Sequence, residues 1–154
     1  MTITPRLLVF SSLFPSAVRP SAGVFIRERM FRVGQTLPLL VVSPVPWFPL
    51  QGLIRYWRPH FRPQPAHFEE QQGFQVYYPR FCSLPALLKR FDGFFMAVGC
   101  VPLLYKLKQE FDFNLIDAHF AYPDGYAATV LAAWFKVPST ITLRGTELPT
   151  SKMP

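Results

Sequence analysis

Three short stretches carry residue types that could do chemistry together. In DAHF, His119 stands at the end of an apolar run. A neutral imidazole there can accept or donate a hydrogen bond to a substrate hydroxyl near neutral pH. The alternative is a histidine that ties a strand end to the next loop. In RGTE, Arg144 offers a planar fork for phosphate or carboxylate. Gly145 permits close backbone approach, and Thr146 and Glu147 can bind hydroxyls; the alternative is a turn with a solvated salt bridge. In FPSAVRPSAG, Gly23 directly precedes a helical pattern. Backbone N–H groups there can aim at an anion or a sugar edge. The loop is neither GxGxxG nor a Walker A sequence, and an ordinary strand-to-helix turn is its plainer reading.

Such residues meet only if the surrounding elements bring them together. LLVFSS (7–12) and LLVVS (39–43) are continuous apolar runs of the buried parallel-strand kind. Between them, residues 24–33 set Ile26, Met30 and Val33 on one face and turn Arg27, Arg29 and Arg32 mostly away, which predicts a helix. QVYY (75–78), NLIDAHF (114–120) and STITL (139–143) supply a third, fourth and fifth strand. Residues 85–110 predict a helix kinked or broken at Pro102, and Asp124 is expected to cap a helix over 125–135. Six prolines in residues 44–65 predict little regular structure over most of 44–72. Strands alternating with helices predict an α/β fold, a Rossmann-like parallel sheet with helices on both faces. Ligands bind such sheets at the carboxyl ends of the strands. That rule gathers all three stretches on one edge.

Composition narrows the class. The 154 residues suit one domain, half are hydrophobic and only 16% are charged, which excludes a disordered chain. A net charge of +7 points to anionic partners. Cys82 and Cys100 form no ligand motif or disulfide framework, which fits a reducing, cytoplasmic compartment. The three histidines are dispersed, with no acidic cluster beside them, so no metal site is expected. MTITPRLLVFSSLFP reads as a first strand rather than a signal peptide.

In order and spacing, LFPSAVRPSAGVFIRE, DAHFAYPDGYAA and PSTITLRGTE resemble the N-terminal half of the group 1 (family 4) glycosyltransferases. The resemblance covers nearly the whole chain, and runs closest to members that make bacterial surface and exopolysaccharides. It implies a retaining enzyme of the GT-B architecture, in which two Rossmann-like domains face a cleft. Residues 1–154 would then be the acceptor-side domain, incomplete at its end and without the second domain that holds the nucleotide-sugar and carries a paired-glutamate motif. No cofactor is implied in this chain; the donor would be a nucleotide-sugar and the acceptor a lipid-linked or glycan hydroxyl. Ser21, Ala22 and Gly23 would match the loop near the donor diphosphate and acceptor. His119 would match the cleft histidine near the transferred sugar, and Arg144, Gly145, Thr146 and Glu147 the acceptor-side segment.

Residues 29–68 contain no acid. Trp47, Arg55, Trp57, Arg58 and Arg62 lie among them and suit an anionic bilayer surface, which would place the protein peripherally on the inner membrane face. Spacings of three and four residues would set Arg55, Arg58 and Arg62 on one side. The alternative is a long loop with its aromatics packed inward. The uncharged run 93–105 is too short to span a bilayer and reads first as a core helix, second as a membrane-dipping segment. Two rival functions stand beside the transferase: a non-catalytic membrane-surface binding domain, and a dinucleotide-dependent oxidoreductase domain, weakened by the missing glycine fingerprint. Nucleic acid is disfavoured because no reader module is visible.

Overall fold

The computed structural model describes residues 3–84 and 88–144. Strand β1 (Leu7–Phe10) and strand β2 (Leu39–Val42) are buried at every position, as continuous apolar runs require. Helix α1 (Val24–Val33) connects them over the span its apolar spacing predicts. The remaining elements are β3 (Val45–Trp47), α2 (Gln51–Trp57), β4 (Phe68–Gln71), β5 (Phe74–Tyr77), β6 (Arg80–Cys82), α3 (Asp92–Glu110), β7 (Leu115–His119), α4 (Tyr126–Phe135) and β8 (Ser139–Thr142).

Six strands form one sheet in the order β4-β5-β2-β1-β7-β8. Every neighbouring pair is parallel except β4 with β5. From β1 the chain steps outward through β2 to β5, then crosses back to the other side of β1 for β7 and β8. That reversal makes a topological switch point between β1 and β7, where the loops leaving the two strands diverge and open a crevice. The fold is Rossmann-like.

Alternating residues divide the core into two layers. Leu8, Phe10, Leu40, Val42, Ile116 and Ala118 pack with α3 and α4. Leu7, Val9, Leu39, Val41 and Val76 face α1 through Ile26 and Met30. Within α3, Met96, Ala97, Cys100, Leu104 and Leu107 are buried at helical spacing, so the uncharged run belongs to the core. Among the described residues no helix is long and apolar enough to cross a membrane.

One expectation needs refinement and two need correction. Residues 44–72 carry three short elements, β3, α2 and β4, within their irregular chain. Strand β3 accommodates Pro46 because it pairs only with β6, in a separate two-stranded ribbon, so its other side needs no N–H donor. The long helix starts at Asp92, after a short 3-10 turn, and runs through Pro102 without a break. Pro102 lies on the exposed face, where the carbonyl that loses its partner can turn to water. Asp124 does not cap α4, whose first turn has no side-chain cap. Its carboxylate reaches across to the loop after β1 instead.

Candidate functional site at the switch point

The crevice between β1 and β7 is built from three chain segments. The loop leaving β1 ends at Gly23, which has φ 69°, and an added Cβ there would overlap the Leu13 carbonyl. A left-handed glycine packed on backbone lets the loop fold tightly before α1 begins. Gly23 is buried, Ala22 donates its N–H to the Arg19 carbonyl at 3.2 Å, and Ser21 is exposed. No side chain caps α1 and its first turn carries no acid; the Gly23 carbonyl accepts from the Ile26 and Arg27 N–H groups at 2.9 and 3.2 Å.

His119 is the last residue of β7 and is fully buried. Its Nδ1 lies 2.7 Å from Nη2 of Arg144. A guanidinium can only donate, so Nδ1 accepts and the imidazole proton resides on Nε2. That N–H points toward Asp117, whose Oδ2 is 3.6 Å away, longer than a hydrogen bond. The other Asp117 oxygen accepts from Thr140 Oγ1 at 2.7 Å. Asp117, His119 and Arg144 thus form a series on the sheet face that carries α1. The Arg144 guanidinium also lies over the Phe25 ring, 5.2 Å from its centroid. Burial above all lowers the His119 pKa to about 4; Asp117 opposes this, and Arg144 and Arg29 reinforce it. The imidazole is neutral at pH 7.

Phe120 turns the chain sharply after β7, with φ 78°, a region that disfavours every residue but glycine. Its N–H donates to the Thr142 carbonyl and its carbonyl accepts from Gly125. Those bonds hold the strained turn and bring Asp124 beneath the β1 loop. Asp124 is fully buried, and its Oδ2 accepts from the Ser12 N–H at 2.9 Å, while Oδ1 has no partner. Burial raises its pKa to about 6, opposed by the Ser12 N–H bond and the neighbouring Ser11 and Ser12 hydroxyls, which favour the anion. Asp124 stitches the two sides of the switch point together.

Gly23, His119 and Arg144 are therefore brought to one edge, with Phe25 and Arg29 of α1 beside them. Gly145, Thr146 and Glu147 lie outside the described residues. Sequence reasoning missed Asp117 and misread Asp124. The two-residue period of a strand puts 117 on the face of 119 and signals the first; nothing local signals the second. Among the described residues no three His, Cys, Asp or Glu side chains gather as metal ligands.

The bilayer-surface residues divide. Arg55 donates through Nε to the Phe61 carbonyl at 3.2 Å and through Nη2 to that of Arg62 at 3.3 Å. Arg62 donates to the Ser83 carbonyl at 2.7 Å and lies near the Phe48 and Phe61 rings. Neither joins Arg58 on an open cationic face, because backbone carbonyls hold Arg55 by its Nε and Nη2 and Arg62 by its Nη1. Arg58 and Trp47 are exposed, and Tyr56 and Trp57 are 84% and 80% exposed, beside Leu50 and Leu53.

A Rossmann-like domain with its charged and strained residues collected at the switch point is a scaffold that many ligand-binding enzymes use, so the fold alone fixes no chemistry. No family model matches the chain. The chain is a homologue of a glycosyltransferase: it is 29% identical over 147 residues to the putative teichuronic acid biosynthesis glycosyltransferase TuaC of Bacillus subtilis (strain 168). The match covers 93% of this chain and 37% of that protein.

Proposed function

We propose that this chain is the acceptor-side part of a retaining, two-domain glycosyltransferase. That enzyme moves a sugar from a nucleotide-sugar to a lipid-linked or glycan hydroxyl in surface polysaccharide synthesis. The carrying observation is the Asp117–His119–Arg144 series, seated at the switch point of a chain homologous to a glycosyltransferase. In this reading Arg144 presents donors to an anionic or hydroxyl-bearing substrate, and neutral His119 fixes the plane of its guanidinium. His119 meets a substrate hydroxyl itself only after Arg144 leaves Nδ1, because the ring is otherwise sealed.

Glycosyl transfer needs donor and acceptor held together in one geometry. On this reading residues 1–154 hold the acceptor side alone, so the purified chain is expected to transfer no sugar from nucleotide-sugars to bacterial lipid extracts. A form extended by a donor-binding domain is expected to transfer, and His119→Ala in that form to lower turnover about 10²–10⁴-fold. Radiolabelled sugar incorporation measures both. Transfer by residues 1–154 alone, or near-normal turnover per folded molecule in the variant, would contradict the reading.

A second reading, surface attachment to a bilayer, is favoured by the exposed Leu50, Leu53, Tyr56 and Trp57 beside Arg58. Here the apolar side chains of α2 enter the interface and Arg58 meets the headgroups. Leu53→Ser with Trp57→Ser is expected to weaken binding to anionic vesicles by ~2 kcal/mol, roughly 30-fold. Arg58→Gln is expected to cost about 1 kcal/mol. Arg55→Gln and Arg62→Gln are expected to lower stability instead of vesicle affinity. Tryptophan fluorescence titrations decide; equal binding of all variants would show that α2 does not insert.

A further inference from the structure

We infer that a second cleft on the same sheet edge, bordered by Arg19, Arg62 and Lys89, binds a phosphate or diphosphate group. The cleft has a volume of about 300 Å³ and opens between Ser12 of the β1 loop and Pro123 of the turn after β7. It therefore adjoins the switch point without including His119 or Arg144. Its volume is at the lower end for small-ligand sites.

The three cations come from separate parts of the chain, and each backbone is anchored. Arg19 closes a tight turn in which its N–H donates to the Ser16 carbonyl at 3.0 Å and Ser16 donates back at 3.2 Å. The Lys89 carbonyl, ahead of α3, accepts from the Tyr122 hydroxyl at 3.0 Å. Arg62 is held at its guanidinium, by the Ser83 carbonyl and the two phenylalanine rings. These partners are electrically neutral, so its positive charge is not cancelled where it lines the cleft. Among the described residues, no ion pair joins Arg19, Arg62 or Lys89 to a carboxylate. Among the described residues that line the cleft, Asp92 is the one acid and leaves it cationic.

One held guanidinium, with a second guanidinium and an ammonium on the same rim, suits a tetrahedral anion, which takes several charge-assisted hydrogen bonds at once. Neutral sugar hydroxyls would gain little from three cations that no carboxylate neutralises among the described residues. On the transferase reading above, the anion is the phosphate that links the acceptor to its carrier, and the acceptor's hydroxyl would extend toward the switch point. Only the word acceptor rests on that reading; the anion site rests on the cleft.

The experiment is a titration of the purified chain, followed by amide NMR shifts, with inorganic pyrophosphate, a short-chain isoprenyl phosphate and phosphatidylglycerol vesicles as separate arms. Saturable shifts around Arg19, Ser83 and Lys89 with the first two ligands are expected. Arg19→Gln with Lys89→Gln, both at exposed positions and safe for folding, is expected to weaken them at least ~10-fold. Arg62→Gln is expected to weaken binding further, and its folding is checked by the same spectra. A response to vesicles alone, or unchanged pyrophosphate binding in the double variant, would overturn the proposal. Binding without sugar transfer in any extended form would remove the transferase reading and leave the site. Sugar transfer without binding would do the reverse.

Discussion

Single substitutions at His119 and Asp124 are expected to tilt the pH dependence of stability in opposite directions. His119 titrates at about 4 when folded and near 6.5 when unfolded. Between those values the unfolded chain binds more protons, so stability is present above pH 6.5 and is lost as pH falls toward 4. Asp124 behaves inversely, with a folded pKa of about 6 against 3.8. Here the folded chain binds more protons, so stability is greatest below pH 3.8 and declines as pH rises through 6. From pH 7 to pH 4.5 each group is worth up to about 2 kcal/mol, and in the wild type the two largely cancel. Asp124→Asn is expected to expose the histidine's effect and lose about 2 kcal/mol on acidification. His119→Asn is expected to gain a similar amount, and the double variant to show neither trend. Urea denaturation at pH 7 and pH 4.5 measures all four. A shared wild-type slope in both single variants would mean that neither group is buried as described.

Gly23→Ala is expected to cost about 3 kcal/mol or more in stability. The left-handed backbone alone costs an L-residue about 1–2 kcal/mol, and the new methyl would also strike the Leu13 carbonyl. Gly73 separates the two contributions. It has φ 82° in the β4–β5 turn, with nothing within 4 Å of an added Cβ. Gly73→Ala should therefore cost only the conformational part, about 1 kcal/mol. Chemical denaturation of both variants tests the difference. Equal losses would show that the β1 loop yields to the methyl, and that the crevice wall is softer than its packing indicates.

The parallel core was legible because burial on both faces writes itself as unbroken apolar runs, and α1 because its period was clean over ten residues. What escaped notice was structure that local chemistry argues against. Gln72 and Gly73, at φ 52° and 82°, form a two-residue hairpin turn. Glutamine is a weak signal there beside asparagine or aspartate. Proline counts hid β3 and α2, because a ribbon with free outer sides and a single short helical stretch between prolines satisfy the backbone without a long ladder. At the site, the positions of Gly23, His119 and Arg144 followed from strand ends. Their sealing did not follow, because Arg144 reaches His119 across 25 residues of sequence. The same distance blindness made Asp124 look like a cap. An acid before a helix has a local use, and only the fold reveals that its partner Ser12 is 112 positions away.

The guanidinium contacts of the proline-rich segment have an evolutionary consequence. Arg55, Arg62 and Arg80 hold it through the backbone carbonyls of Phe61, Arg62, Ser83, Tyr78 and Pro65. A carbonyl is present whatever side chain its residue carries. The acceptor half of this clasp is thus indifferent to mutation, and only the three donors are irreplaceable. Such a segment can exchange its outward residues freely and acquire new surface preferences while staying latched to an unchanged core.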